Sequence, residues 1–166
     1  MKLFTFPVSV IIFSVLALSG LQVSAKDVTL DGETVKGPTP DIKVTYALNK
    51  TDKIARVKEV RDRSATGTKS SCVIPGKIKV DGVTYKVTKI GKDAFGYESF
   101  DKVVLPNTID EICEGAFAHV LFLSDCKIPS SVVKIGKNAF ANNLLTKVTI
   151  PASVTSIGDG AFSSNG

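Results

Sequence analysis

Residues able to do chemistry are few and widely spaced in this chain of 166 residues. The one histidine, His119, follows a phenylalanine in a loop-like stretch. A general base or metal ligand needs partners held at fixed distances, and none stands near it in sequence. The three cysteines, Cys72, Cys113 and Cys126, form neither a Cys-x-x-Cys motif nor a Cys/His pair. Asp110, Glu111 and Glu114 lie together, with Asp101 and Asp125 on flanking stretches. They lack the Gly-bracketed acidic spacing of a calcium loop, and Asp159-Gly160 reads as a turn. Ser130-Ser131 and Ser163-Ser164 have turn character without a nucleophile elbow. These residues predict no catalytic set, no cofactor and no metal site.

The formal charge is +5. Lysines and arginines are scattered from Lys26 to Lys147 without a run of five or six. Nucleic acid and anionic membrane surfaces favour clustered charge, so neither is an expected partner. Lys2, the apolar stretch Phe4 to Leu18, and Val23-Ser24-Ala25 before Lys26 have the order of a secretory signal peptide over residues 1–25. Its apolar core is short for a membrane span, and no later stretch is long and apolar enough to be one. The mature chain is expected to be secreted or at the cell surface, with no integral membrane span after signal removal.

Any functional residue must be positioned by one recurring frame. Ile90-Gly-Lys-Asp-Ala-Phe95 returns as Ile112-Cys-Glu-Gly-Ala-Phe117, Ile135-Gly-Lys-Asn-Ala-Phe140 and Ile157-Gly-Asp-Gly-Ala-Phe162. Its phenylalanines are spaced by 22, 23 and 22 residues. Upstream stand Leu105-Pro106, Ile128-Pro129 and Ile150-Pro151, with Ile74-Pro75 as an earlier echo. A period of this length predicts a β-rich repeat solenoid of leucine-rich-repeat type over 72–166, with one short parallel strand per 22–23-residue repeat. Residues 26–71 read as an N-terminal β-hairpin and loop cap. Val44, Tyr46 and Leu48 alternate, Asn49 to Asp52 is a turn, and Ile54 to Val60 resumes the strand pattern. Asn49-Lys50-Thr51 is also a glycosylation acceptor motif at an exposed turn. Val28 and Leu30 suggest a short edge strand. Asp81-Gly82 between two strand patterns predicts a second, tight hairpin, read as the end structure of the array.

Aligning the copies gives columns. Cys72, Val103, Cys126 and Val148 share an inward column, and Ile74, Leu105, Ile128 and Ile150 the next. Lys102, Asp125 and Lys147, and then Val104, Lys127 and Thr149, face outward. These six are the candidate binding face. The proline ends each strand, the Ile and Val positions turn inward, Ala is small beneath a short helical turn, and Phe closes the base of each repeat. Cys72 and Cys126 lie two strand steps apart, about 9.6 Å. A disulfide needs Cα atoms within about 7 Å, so this pair is not expected to close.

Ile-Pro-x-Ser-Val followed by Ile-Gly-x-x-Ala-Phe, repeated in register from Cys72 to Phe162, resembles the BspA-like leucine-rich repeat family of surface proteins. The resemblance implies secreted or surface-displayed proteins that bind host or neighbouring-cell proteins, with repeat residues that are structural and no catalytic residues to carry over. Cys113 in the glycine position and the small number of repeats depart from that pattern. The last repeat reads as incomplete and uncapped, which suggests an end-to-end contact there. The function expected is protein binding or adhesion toward extracellular or host surface proteins. The alternative is a structural repeat fragment or spacer with no activity of its own.

Overall fold

The computed structural model describes residues 27–30, 33–36, 42–62 and 70–166. The expected signal peptide lies outside the described residues. Among those described, the chain forms strands and turns and no helix. The turn carrying each frame alanine is not helical, which corrects the expected helical turn.

The alternating stretch around Val44 to Val60 forms strands β3 (Ile42–Asn49) and β4 (Ile54–Asp62), paired antiparallel. Asn49 closes their turn, its Oδ1 accepting from the N–H groups of Thr51 at 3.0 Å and Asp52 at 3.1 Å. Strand β1 (Asp27–Leu30) pairs parallel with β3 and antiparallel with β2 (Glu33–Lys36). It is therefore an interior strand, where the sequence suggests an edge. Strands β6 (Lys77–Val80) and β7 (Val83–Ile90) form the second hairpin. Its turn residues Asp81 and Gly82 have φ of 49° and 80°, as a type I′ turn requires.

The repeats make two parallel ladders rather than one. β5 (Ser70–Val73), β8 (Phe100–Val104) and β10 (Asp125–Cys126) form the ladder upstream of the prolines. The second joins the end of β7 to β9 (Glu111–Ile112), β11 (Lys134–Ile135) and β12 (Ser156–Ile157), at the first isoleucine of each frame. Here the backbone is extended and each repeat bonds to its predecessor. Cys113 N donates to Ile90 O at 2.9 Å, Gly136 N to Ile112 O at 2.7 Å, and Gly158 N to Ile135 O at 2.8 Å. Side-chain alternation does not reveal this second ladder, because it is only two residues wide.

The sequence also predicts a strand through Lys147 and Thr149, and the structure has none there. The donors leading into it are engaged elsewhere: Leu144 N bonds Leu123 O and Leu145 N bonds Asn165 Oδ1. The β6–β7 hairpin does not end the array's sheet either. Strand β4 pairs parallel with β7 and continues the sheet into β3, β1 and β2. Val60 N donates to Ala94 O at 2.7 Å, as though β4 were a preceding repeat.

The frame isoleucines Ile90, Ile112 and Ile135 and the alanines Ala94, Ala116, Ala139 and Ala161 are buried. The frame phenylalanines stack face to face, Phe95 on Phe117 at 4.7 Å, Phe117 on Phe140 at 5.0 Å and Phe140 on Phe162 at 5.3 Å between centroids. Phe100 closes the first end edge-on to Phe95. A Cβ on Gly136 would come within 2.5 Å of the Glu114 backbone nitrogen, so glycine here permits the close approach of successive repeats.

A further column has a left-handed backbone. The fourth frame position, Asp93, Gly115, Asn138 and Gly160, has positive φ in every copy, between 52° and 64°. Asp, Asn and Gly tolerate this region best. A Cβ on Gly115 would strike Asp93 Oδ1, and one on Gly160 would strike Asn138 Oδ1. The alternation of side chain and glycine down the column is thus a packing requirement. Three residues after three of the four frame phenylalanines, a side chain reaches the neighbouring backbone. Glu98 Oε2 accepts from Asp62 N at 2.7 Å, Asn143 Oδ1 from Val120 N at 3.0 Å, and Asn165 Oδ1 from Leu145 N at 3.1 Å. Val120 occupies that column without such a group.

Phe117 has a ring stacked on each side and is fully buried. Phe117→Ala should destabilise the fold by about 3–5 kcal/mol, while Phe162→Ala, at a partly buried end ring, should cost less than half of that. Chemical denaturation of the two variants checks the order; equal costs would contradict the stack as a shared core.

Candidate functional site

The ladder of β5, β8 and β10 presents the surface on which the candidate face was placed. In β8 and just after it, Val103 and Leu105 point inward and are buried, so Lys102 and Val104 point out. Asp125 stands opposite Lys102 and Cys126 opposite Val103. The Lys102 Nζ–Asp125 Oδ2 distance is 2.8 Å. That bond holds the lysine's pKa above its ordinary value. A groove of about 550 Å³ opens here, lined by Lys102, Val104, Asp125 and Lys127 with Pro106, Asn107 and Pro129 at its end. Lys127 is exposed and forms no ion pair among the described residues.

Four of the six candidate residues are therefore brought together, and two are not. Lys147 and Thr149 are exposed but line no part of the groove, because the strand that would carry them does not form. Sequence reading missed the groove end. Its signal was the recurring proline, which turns the chain at a fixed place in each repeat and so aligns Pro106 with Pro129.

The groove combines an apolar floor with two ammonium groups and one carboxylate. It contains no nucleophile with an adjacent base. Among the described residues, no three of His, Cys, Asp or Glu converge on a metal-sized site. Such a surface can recognise another macromolecule by shape and charge.

His119 is exposed, and its neighbours come from the repeats on either side. Its ring stacks on Tyr97 at 5.0 Å, and Asn142 Nδ2 lies 3.3 Å from its Nε2. Tyr97, His119, Asn142 and Ser164 form another column of positive φ, from 53° to 64°. This side-chain stack runs along the outside of the repeats. The glycosylation motif is exposed as expected, but Asn49 Nδ2 donates to Asp52 Oδ2 at 2.7 Å.

Charge also runs down columns of the larger sheet. Glu111 bridges Lys89 at 2.6 Å and Lys134 at 3.1 Å. The Lys89 hydrogen bond, then that of Lys134, holds the Glu111 carboxyl below the usual glutamate range. A depressed carboxylate stabilises the fold above its unfolded pKa, and that contribution disappears as pH falls through the folded value. Glu111→Gln should therefore lower the melting temperature at neutral pH by a few degrees at most. The two proteins should converge as the pH drops through the acid range; a gap that persists at low pH would contradict this.

All three cysteines are free thiols. Cys72 and Cys126 both register on Val103, which separates them as the column predicts. Burial, reinforced by Asp62 and Asp125 respectively, pushes each thiol up to about 12. Cys126 is partly exposed as a residue although its thiol faces the core. Half-buried Cys113 is shifted upward less, by burial and then by Glu111. Nothing in the structure explains a cysteine in that glycine position. Native-state alkylation followed by peptide mass spectrometry should label Cys113 first and Cys72 only on unfolding; early labelling of Cys72 would contradict the packing.

Residues 84–166 match the BspA type leucine rich repeat region, in 6 copies. Among solved structures, a leucine-rich repeat protein from Bacteroides capillosus ATCC 29799 is 31% identical, with a TM-score of 0.65. The match covers 74% of this chain and 87% of that one. A leucine-rich repeat protein from Bacteroides ovatus ATCC 8483 is 21% identical over 75% of this chain and 38% of its own length, with a TM-score of 0.52. That second likeness concerns the fold alone. No curated protein matches the chain.

Proposed function

Because the chain belongs to the BspA-type leucine-rich repeat family, we propose that it is a secreted or surface-displayed module that binds host or neighbouring-cell proteins. Residues 1–25 would direct export, 26–71 would form the N-terminal part, and 72–166 would be a repeat solenoid. The observation that carries the proposal is the groove at the β8–β10 ladder. There Lys102, Val104, Asp125 and Lys127 differ in type from one repeat to the next, while the frame behind them stays constant. Constant residues hold the repeats together, and variable outward residues are free to match a partner. Lys147 and Thr149 would act as a flank of that face.

A second reading is favoured by one observation. The last frame leaves Ile150 and Ile157 40% and 49% exposed. Their equivalents Ile128 and Ile135 are buried. Such a surface suits end-to-end contact with another repeat, as in a spacer or structural piece of a longer surface protein.

Binding of the labelled mature chain to intact host cells and to neighbouring bacteria separates the readings. Lys102→Glu with Lys127→Glu should weaken cell binding about tenfold or more under the first reading. Binding that is absent in the parent protein, or unchanged in the variant, would overturn the groove as the contact face.

A further inference from the structure

The lysines that the sequence scatters are gathered by strand register at the N-terminal end of the larger sheet. Lys77 stands directly opposite Lys86 in the β6–β7 pair. Residues so paired share a face, with Cβ atoms about 5 Å apart. Lys79, two residues on, lies on that face opposite Thr84. On the other side of β7, Lys86 registers with Ile54 and Lys89 with Arg56. The Lys86 N–H donates to Lys53 O at 2.9 Å, which brings Lys53 beside it. Lys53, Arg56, Lys77, Lys79 and Lys86 are all exposed.

Elsewhere the protein alternates charge between neighbouring repeats: Lys89 with Glu111, Lys92 with Glu114, Lys102 with Asp125. Here it does not. None of the five cations forms an ion pair among the described residues. The nearest carboxylates in the register are Asp81 at the hairpin tip, Asp52 bonded to Asn49, and Asp110 and Glu111 beyond Lys89. Like charges directly opposite one another destabilise a sheet. An external polyanion would relieve that repulsion. A shallow groove of about 260 Å³, with Arg56 and Lys89 on its rim, extends the same basic tract.

We propose that this face binds an extended acidic polysaccharide, whose carboxylate or sulfate groups pair with Lys77, Lys79, Lys86, Lys53 and Arg56. Five cations spread over β4, β6, β7 and the turn before β4 exceed the charge of one small anion and suit a repeating polymer. The lysine face carries no exposed aromatic ring on which bases could stack, since Tyr85 points into the core. Its apolar surface is small, because Ile78 and Val80 face inward and Ile54, which registers with Lys86, is only partly exposed, so it offers little that would enter a bilayer. This inference is independent of the groove on the other ladder.

Heparin serves as the probe, with the mature full-length chain. The parent protein should be retained at about 0.15 M salt, with affinity falling steeply as salt rises. Lys77→Glu with Lys86→Glu keeps two like charges opposed but sets them beside Lys79 and Lys53, so the melting temperature should not fall. Its affinity for heparin should fall about tenfold or more. Lys92→Glu with Lys137→Glu makes the same change in net charge elsewhere and should bind like the parent. Equal losses in both double variants would overturn the proposal in favour of net charge alone. Undiminished binding by the Lys77/Lys86 variant would also overturn it, as would tighter binding of duplex DNA or phosphatidylserine vesicles through those lysines.

Discussion

A single repeat in this protein has one apolar stripe and nothing of its own to cover it, so everything depends on successive repeats approaching within a strand spacing of one another. The phenylalanine stack is the clearest expression of this constraint. Centroids 4.7 to 5.3 Å apart match the separation of neighbouring parallel strands. Rings and backbone therefore share one translation. Glycine at the second frame position, alanine at the fifth, and the alternation of side chain and glycine at the fourth all serve that approach. Hydrogen bonds from Asn143 and Asn165 fasten the loops to it.

The same constraint separates scaffold from function. The buried Ile, Ala and Phe positions of the frame face the next repeat, so a change there disturbs two neighbours. Outward positions on the strands face only solvent or a partner. The Lys102–Asp125 groove and the Lys77–Lys86 face both lie on such positions, on different sheets. The family likeness explains the frame and leaves the chemistry of these surfaces to the residues of this chain.

Much of the scaffold was legible because apolar types recur with the period of the fold. The inward columns through Val103 and Leu105, the unbridged Cys72 and Cys126, and the Asp81-Gly82 turn all follow from side-chain pattern alone. What was illegible depends on backbone partners. Ile54 to Val60 announces a strand but not that it pairs parallel with β7. The alternation through Val148 and Ile150 suggests a strand whose hydrogen bonds are in fact not made. The positive-φ column did have a signal, in its run of Asp, Gly, Asn and Gly, but two of those types also suit any polar surface. The basic face was legible only in part: the Asp81-Gly82 hairpin sets Lys77 opposite Lys86, but Lys53 and Arg56 join them only through the β4–β7 register.

The continuity of the sheet from β4 through the repeats means that the hairpin and the array should open as one unit. The far end should behave differently, because Gly160, Phe162 and Ser164 have backbone N–H groups without a partner among the described residues, whereas their equivalents in the preceding repeat, Asn138, Phe140 and Asn142, bond to Asp159, Ala161 and Ser163. Native-state amide hydrogen exchange tests this stacking account most directly. The account predicts that the amides of Val60, Phe95, Cys113, Phe117 and Gly136 are protected by one common opening free energy, while those of Gly160, Phe162 and Ser164 exchange fast. Independent protection levels for Val60 and Phe117, or strong protection at Phe162, would contradict it.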